Sequence, residues 1–421
     1  MSKGLDTEPY KGVRDFYPAD WGRLSTVFGR IRNVLGRYGY EEYQASPLEH
    51  SELYESKGNE EIIREQTFSF EDRGGRRVTL RPEMTPTLAR MVAHKRRELV
   101  FPLRWFSIGN RFRYERPQRG RLREFFQCDV DLVGLPEGAA DEEIITIASD
   151  LLKSFGASDT DFAIRINSRK LLRLACNAAG LAEGDASRAY WQLIDRKAKM
   201  SGADFEAARK EFPADPLAVI EAGTDPDVAD EKARLEAFIE TLKGRGITNA
   251  SFDTDIVRGF DYYTGMVFEV NDTNPENPRA LFGGGRYDGL VSLFGAEPVP
   301  AVGFAFGDVT FLDFLETHGL VPESTSAPQV YIGTPEAADI PKASQFAAEL
   351  REVGIRAFVN LSDKELGAQV KDAVRRGIPY FMAYGAQEEK SSMIRLKDLA
   401  KSAEESIESN QIVKHLAGLF K

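Results

Sequence analysis

The sequence has two cysteines, Cys128 and Cys176, among 421 residues, too few for a disulfide framework and suited to a reducing compartment. Its four histidines, His50, His94, His318 and His415, are scattered without ligand spacing, which argues against a histidine-built metal centre. No apolar run approaches the roughly 18–20 residues of a membrane span. The opening MSKGLDTEPYKGVRDF lacks the apolar core of a signal peptide, so a cytoplasmic protein without membrane association is expected. There is no P-loop and no nucleophile elbow, and the triplet Gly283–Gly285 does not fit a dinucleotide fingerprint. Lys and Arg number 55 against 66 Asp and Glu, a net charge of −11. That excludes nonspecific coating of nucleic acid but leaves room for a local basic site. Hydrophobic content of 42% and charged content of 29% fit an ordinary globular chain of two or three domains.

Against this acidic background, RFRYERPQRGRLR (111–123) holds six arginines in thirteen residues. Alternation marks strands, because successive side chains point to opposite sheet faces. Odd positions carry Arg111, Arg113, Glu115, Arg121, Arg123, Phe125, Gln127, Asp129 and Asp131; even positions carry Phe112, Tyr114, Leu122, Phe126, Cys128, Val130 and Leu132. RPQRG supplies the Pro and Gly of a long turn. The pattern predicts an antiparallel hairpin with one apolar face on the core. The other face is either an ordinary solvated surface or an anion site. Four arginines facing one another across strands repel, and a phosphate held by planar guanidinium forks would relieve that repulsion. Farther along, Gln127 to Asp131 have the chemistry to hold a cationic or donor-rich group, which suggests a two-substrate site.

TLRPEMTPTLAR (79–90) reads as a strand that turns at Pro82 into a helix, with Thr85 as N-cap and Pro86 as the first helical residue. Glu83 and Thr85 at this turn either cap the helix or face a pocket. DIVRGFDYYTGMVFEV (255–270) predicts a second hairpin turning at Thr264-Gly265. Within it Arg258 pairs with Asp261 or faces a ligand, since an isolated buried charge is costly. Tyr262 and Tyr263 are core aromatics or ligand groups. Gly283–Gly285 mark a loop or bulge, or a close approach of backbone. PAVGFAFG (300–307) is a small-residue strand leading into the helix DVTFLDFLETHG.

Together these stretches resemble the histidyl-tRNA synthetases, a family of class II aminoacyl-tRNA synthetases. FRYERPQRGRLREF resembles the class II second motif, RGFDYYTGMVFE and GGGRYDGL the two histidine-specific signatures, and LRPEMTPTLAR the amino-acid-binding turn, in matching order over about residues 9–310. The resemblance implies an enzyme that activates L-histidine with ATP to histidyl-adenylate and transfers it to the 3′ end of tRNA(His). Mg2+ would accompany ATP, with no protein-built metal site. Arg113 would hold the α-phosphate and the substrate carboxylate. Glu115, Arg121 and Phe125 would bind the rest of ATP, Phe125 by stacking on adenine. Glu83, Thr85 and Gln127 would hold the histidine α-amino group, with Met84 in the same turn where many bacterial relatives have a smaller residue. Asp131 and Tyr263 would read the imidazole, with Tyr262 beside them, and Arg258 would stabilise the α-phosphate during attack. Arg116 and Gln118 would approach the acceptor end of the tRNA. The alternative is a non-charging paralog that senses histidine, such as a regulatory subunit of ATP phosphoribosyltransferase. Thr310 departs from the family: it stands where the third class II motif, Gly-x-x-Arg, ends in an ATP-contacting arginine. Either another cation, Arg111 or Arg123, substitutes, or ATP binding is impaired. Asp131 stands where some relatives carry Glu, a milder change.

FGRIRNVLGRYGYEEYQASPLEHSELYESKG (28–58) reads as a helix and then a strand containing Pro47, and resembles the first class II motif, which implies a homodimer. The expected fold is α+β. A class II antiparallel-sheet catalytic domain would occupy 1–165 and 248–320, with a helical insertion over 166–247 and a linker over 321–328. A C-terminal α/β anticodon-binding domain would occupy 329–421, where QVYIG, IRAFVN and PYFMAYG alternate with the helical SQFAAELREVG and ELGAQVKDAVRRG.

Overall fold

The computed structural model describes residues 5–55, 66–181, 184–197, 200–258, 262–324 and 327–420. The chain divides into two compact units, Met1–Asp15 with Val27–Pro322, and Phe16–Thr26 with Glu323–Lys421. No helix among the described residues is long and apolar enough to cross a membrane.

The strands of the larger unit are β1 (Glu41–Glu42), β2 (Leu48–His50), β3 (Phe68–Glu71), β4 (Arg77–Leu80), β5 (Leu103–Phe112), β6 (Glu124–Val133), β7 (Phe162–Ser168), β8 (Ala250–Phe252), β9 (Met266–Asp272), β10 (Ala280–Arg286) and β11 (Ala301–Gly307). Among the described residues, eight of them form one sheet in the order β1-β5-β6-β11-β10-β9-β7-β8. Its ladders are antiparallel except at the edges, where β1 runs parallel to β5 and β8 to β7. β2, β4 and β3 make a small antiparallel sheet. Helices α1 (Pro18–Arg37), which spans the division between the units, α2 (Glu52–Glu55), α3 (Thr85–His94), α4 (Ala139–Ser154), α5 (Arg169–Ala178), α6 (Asp185–Arg196), α7 (Gly202–Arg209), α8 (Pro216–Ala222), α9 (Pro226–Gly244) and α10 (Asp308–Thr317) complete the order.

Register decides which side of the large sheet is core. Cys128 lies opposite Phe306, Val130 opposite Phe304, and Phe282 opposite Phe306, so these buried side chains share one face. α4 and α10 pack across it, with Ile144, Ile145, Ala148 and Leu151 of α4 buried and Phe311 of α10 against Phe282 and Phe306. The opposite face carries Gln127, Asp129 and Asp131 on β6, Gly303, Ala305 and Gly307 on β11, and Gly283 and Gly285 on β10. Small residues there leave room above the sheet.

Three local expectations are corrected. The hairpin strands end at Phe112 and resume at Glu124, leaving residues 113–123 as a loop closed by a bridge between Gln118 and Arg121. Residues 253–258 and 262–265 are not strand: the chain already turns at 254–255, and Arg258 adopts φ 58°, a left-handed conformation incompatible with an extended run. The glycine triplet is neither loop nor bulge: it is the middle of β10, bonded on both sides.

Helices α5 to α9 follow local signals. Ser168, Ser201, Asp215 and Asp225 each accept a hydrogen bond from a backbone N–H three residues on, and Pro216 and Pro226 start the last two, as N-capping predicts. In the smaller unit, β12 (Val330–Gly333), β13 (Ala357–Val359) and β14 (Tyr380–Ala383) are parallel, while β15 (Met393–Asp398) and β16 (Ala403–Glu408) add antiparallel strands in the order β13-β12-β14-β15-β16. Helices α11 (Ile340–Glu352), α12 (Leu366–Arg375), α13 (Ala386–Ser391) and α14 (Ile412–Leu419) complete it, around a core that includes Val330, Ile332, Phe346, Met382 and Leu416.

Candidate active site

A cavity of about 500 Å3 lies over the small-residue face of the large sheet, lined by Glu83, Thr85, Arg113, Glu115, Arg121, Phe125, Gln127, Asp131, Arg258, Tyr262 and Tyr263 among others. These residues come from the β4–α3 turn, the loop and strand of the hairpin, and the segment before β9. Of the residues expected at a site, those eleven meet in one place.

One end is acidic and buried. Asp131 is buried; its Oδ1 accepts a hydrogen bond from the Tyr287 hydroxyl, and its Oδ2 is buried with no hydrogen-bond partner among the described residues. Burial pushes its carboxyl up to about 8, against the downward pull of the Tyr287 hydroxyl. Tyr287 also lines the cavity. Its position inside GGGRYDGL was the available signal, since a tyrosine on a polar strand edge is a ready carboxylate donor. Gln127 donates from Nε2 to Asp129 Oδ1 at 2.7 Å, which orients its amide.

Beside this end, the Tyr262 hydroxyl donates to Glu83 Oε2 at 3.0 Å. Burial raises the Glu83 carboxyl to about 7, although Arg113 and Tyr262 pull it down. Thr85 hydrogen-bonds Tyr262 and does not cap α3: Met84 holds the cap position without a side-chain bond. Met84 does not line the cavity. It is fully buried, with its sulfur 3.7 Å from Arg81 Nη1. Arg81, which sequence reading passed over, bonds the carbonyls of Asn110 at 2.9 Å and Ala45 at 2.8 Å and so fixes the turn from below.

The other side is cationic. Arg113 donates from Nε to the Pro82 carbonyl at 3.0 Å and lies over the Phe125 ring, 5.3 Å from its centroid; burial lowers the pKa of its guanidinium. Arg121 Nη1 is 3.1 Å from Glu115 Oε2. Arg258 Nη1 is 3.4 Å from Glu269 Oε1, and its Nε is buried with no hydrogen-bond partner among the described residues. Asp261, the partner considered from sequence, lies outside the described residues. A Cβ on Gly283 would coincide with Arg258 Nη2, so the glycine is what lets this guanidinium lie flat on β10.

Arg111 and Arg123 are not in the cavity. Arg111 is fully buried and donates to Asp129 Oδ2 at 2.5 Å. Arg123 lies over the Tyr114 ring at 4.0 Å and donates to the Tyr10 hydroxyl at 2.8 Å. Arg116 and Gln118 are exposed in the loop. The start of the chain fastens this region: Arg123 N donates to the Gly12 carbonyl at 2.7 Å. Arg14 Nη2 donates to Asp308 Oδ2 at 2.7 Å, while Asp308 Oδ1 accepts from Phe126 N at 3.0 Å.

An antiparallel sheet floored by small residues, with a motif-like arginine loop at one side, is the catalytic fold of class II aminoacyl-tRNA synthetases. Residues 12–308 match the histidyl-tRNA synthetase family model and residues 329–419 match the anticodon binding domain. The histidine–tRNA ligase of Leptospira biflexa is 40% identical over 410 residues, covering 94% of each chain. That of Thermococcus kodakarensis is 33% identical over 433 residues, covering 97% of this chain and 98% of the relative. The crystal structure of histidyl-tRNA synthetase from Nostoc sp. PCC 7120 shares the fold with a TM-score of 0.81 at 22% identity, over 99% of this chain and 100% of the other. This chain belongs to the histidyl-tRNA synthetase family.

Proposed function

We propose that this chain activates L-histidine with ATP and transfers it to the 3′ end of tRNA(His). A histidine carboxylate oxygen attacks the α-phosphorus of ATP, the bond to the bridging oxygen breaks, and pyrophosphate leaves. A terminal hydroxyl of the tRNA then attacks the carbonyl carbon of the adenylate, and AMP leaves. Such displacement depends mostly on positioning and charge stabilisation. The observation that carries the reading is Asp131 Oδ2, a buried acceptor without a donor in a cavity whose other walls bear Arg113, Arg121 and Arg258. A ligand with a ring N–H at one end and phosphates at the other satisfies both.

In this reading Asp131, held by Tyr287, takes the imidazole N–H, with Tyr263 and Tyr262 beside it. Glu83, Thr85 and Gln127 hold the α-ammonium group. Arg113 gathers the two anions, the substrate carboxylate and the α-phosphate, and Arg258 opposes the charge that develops on the α-phosphate. Phe125 stacks on adenine, and Glu115 and Arg121 take the rest of the nucleotide. Arg116 and Gln118, exposed at the loop, meet the acceptor end of the tRNA. Met84 supports the turn from beneath, through Arg81.

Among the described residues no three His, Cys, Asp or Glu side chains cluster to hold a metal. Magnesium fits as an ion carried on the nucleotide phosphates, where one or two carboxylates suffice. Glu115, on the cavity wall, would face that ion, and the ion would neutralise phosphate charge. A cytoplasmic homodimer belongs to the same proposal, with residues 28–58 as the pairing segment; residues 56–58 of it lie outside the described residues.

The test is amino-acid-dependent ATP–pyrophosphate exchange with all twenty amino acids and no tRNA. Exchange with histidine alone supports the reading. Tight histidine binding without exchange would leave a histidine sensor on the same fold.

A further inference from the structure

Thr310 leaves one wall of the cavity without a charge of its own, and a cation from another segment lies against it. Arg279, just before β10, lines the cavity together with Thr310, Glu115 and Arg121. An ideal Cβ on Gly120, in the 113–123 loop, would lie 2.8 Å from Arg279 Cδ and 3.4 Å from Thr310 Cγ2, so the two side chains meet over that glycine. The Thr310 hydroxyl is turned back to the Gly307 carbonyl at 3.3 Å.

Arg279 is held in place and left uncompensated. Its Nε donates to the Arg119 carbonyl at 3.2 Å, while Arg119 Nη2 donates to Asn277 Oδ1 at 3.1 Å. The two segments therefore clasp each other reciprocally. Among the described residues no carboxylate forms an ion pair with Arg279. Burial, and then repulsion from Arg121, lower its guanidinium pKa, with Glu115 opposing. Glu115 is already 3.1 Å from Arg121. Two guanidinium groups thus face one cavity wall whose carboxylate is already paired with Arg121, an arrangement that like-charge repulsion disfavours unless an anion sits between them.

We propose that Arg279 is a nucleotide-binding residue whose guanidinium takes the β- and γ-phosphates of ATP, supplying from the β10 side the cation that Thr310 does not. This rests on the reading of the cavity as the ATP site. Phosphate is favoured over the base because the excess charge on this wall calls for an anion, and the adenine is neutral.

The test uses the full-length protein. Equilibrium binding of ATP and of AMP, and pyrophosphate exchange titrated separately in ATP and histidine, are compared for wild type, Arg279→Ala and the double variant Arg279→Ala/Thr310→Arg. Loss of a charge-assisted contact should weaken ATP binding and raise its KM roughly 10- to 100-fold, with AMP binding, histidine KM and melting temperature almost unchanged. The double variant should recover much of the loss. Unchanged ATP affinity in Arg279→Ala would overturn the assignment. So would equal weakening of ATP and AMP, which would mean a contact to the base or a displaced loop. Wild type lacking both ATP binding and histidine-dependent exchange would instead remove the reading of the site, and the assignment with it.

Discussion

Tyr287 donates its hydroxyl proton to Asp131 Oδ1, and Asp131 Oδ2 stays without a donor among the described residues. The tyrosine turns one carboxylate oxygen away and presents the other to the cavity. Tyr287→Phe should weaken histidine binding by up to about 10-fold, the scale of one lost hydrogen bond. It should also push the Asp131 carboxyl above its present value of about 8, because the hydroxyl is what pulls it down. Calorimetric titration with histidine between pH 6 and 9 checks both. An unchanged affinity and pH profile would remove Tyr287 from the binding machinery.

Glu83 and Asp131 set a pH signature. Burial raises Glu83 from 4.5 to about 7 and Asp131 from 3.8 to about 8. Between these limits the folded protein binds protons that the unfolded chain has released, so both contributions to stability are fully present below about pH 4 and are lost as pH rises to about 8. Glu83→Gln and Asp131→Asn remove the buried charges. Their melting temperatures should therefore gain on wild type as pH increases from 5 to 8, in the absence of ligand. A gap that stays constant with pH would show that neither group titrates in this window.

Gly283→Ala tests the seat of Arg258. The added methyl would occupy the place of Nη2, so the guanidinium must lift from β10. Exchange kcat should fall roughly 10²- to 10³-fold, the scale of removing one charge-stabilising donor, while histidine KM changes less. Gly285→Ala is the comparison. Its Cβ would meet Met266 O at 2.5 Å, a backbone clash that should lower melting temperature before it alters the kcat-to-KM balance.

Arg111 and Asp129 form a buried ion pair, and Asp129 also orients Gln127. Arg111→Met leaves the carboxylate unpaired, at a cost of about 3–5 kcal/mol, and should lower melting temperature by on the order of 10 °C. Arg111→Met/Asp129→Leu should recover most of that stability but not the histidine affinity, because Gln127 loses its anchor. Thermal melts and histidine titration of both variants separate the two effects.

Legibility in the sequence followed the range of the interactions. Period-2 alternation placed Gln127, Asp129 and Asp131 on one face, and the register places that face over the cavity. Arg111 shares their parity, but pairs in the ladder with Phe125; its long side chain reaches along the sheet to Asp129, and alternation says nothing about reach. Arg123 was misread because the residues before Glu124 have left the strand, so parity no longer governs its direction. The helical insertion over 166–247 was legible because its signals are local: Ser168, Ser201, Asp215 and Asp225 cap four of its five helices. Tyr287 and Arg279 were missed as site residues because each acts on a partner more than 150 positions away, Asp131 in one case and Arg119 in the other. Strands β15 and β16, mixed in charge, carried too weak an apolar alternation to be read.

The bond from Arg14 to Asp308 spans 294 positions. Asp308 in turn receives Phe126 N, and Gly12 receives Arg123 N, so three distant segments of the chain meet at the outgoing edge of the arginine loop. During synthesis, at about 5–20 residues per second, the Gly12–Arg123 half of that junction can close once the hairpin exists, while Arg14 cannot meet Asp308 until α10 has followed. The junction at the outgoing edge of the arginine loop is therefore complete only once residue 308 has been made.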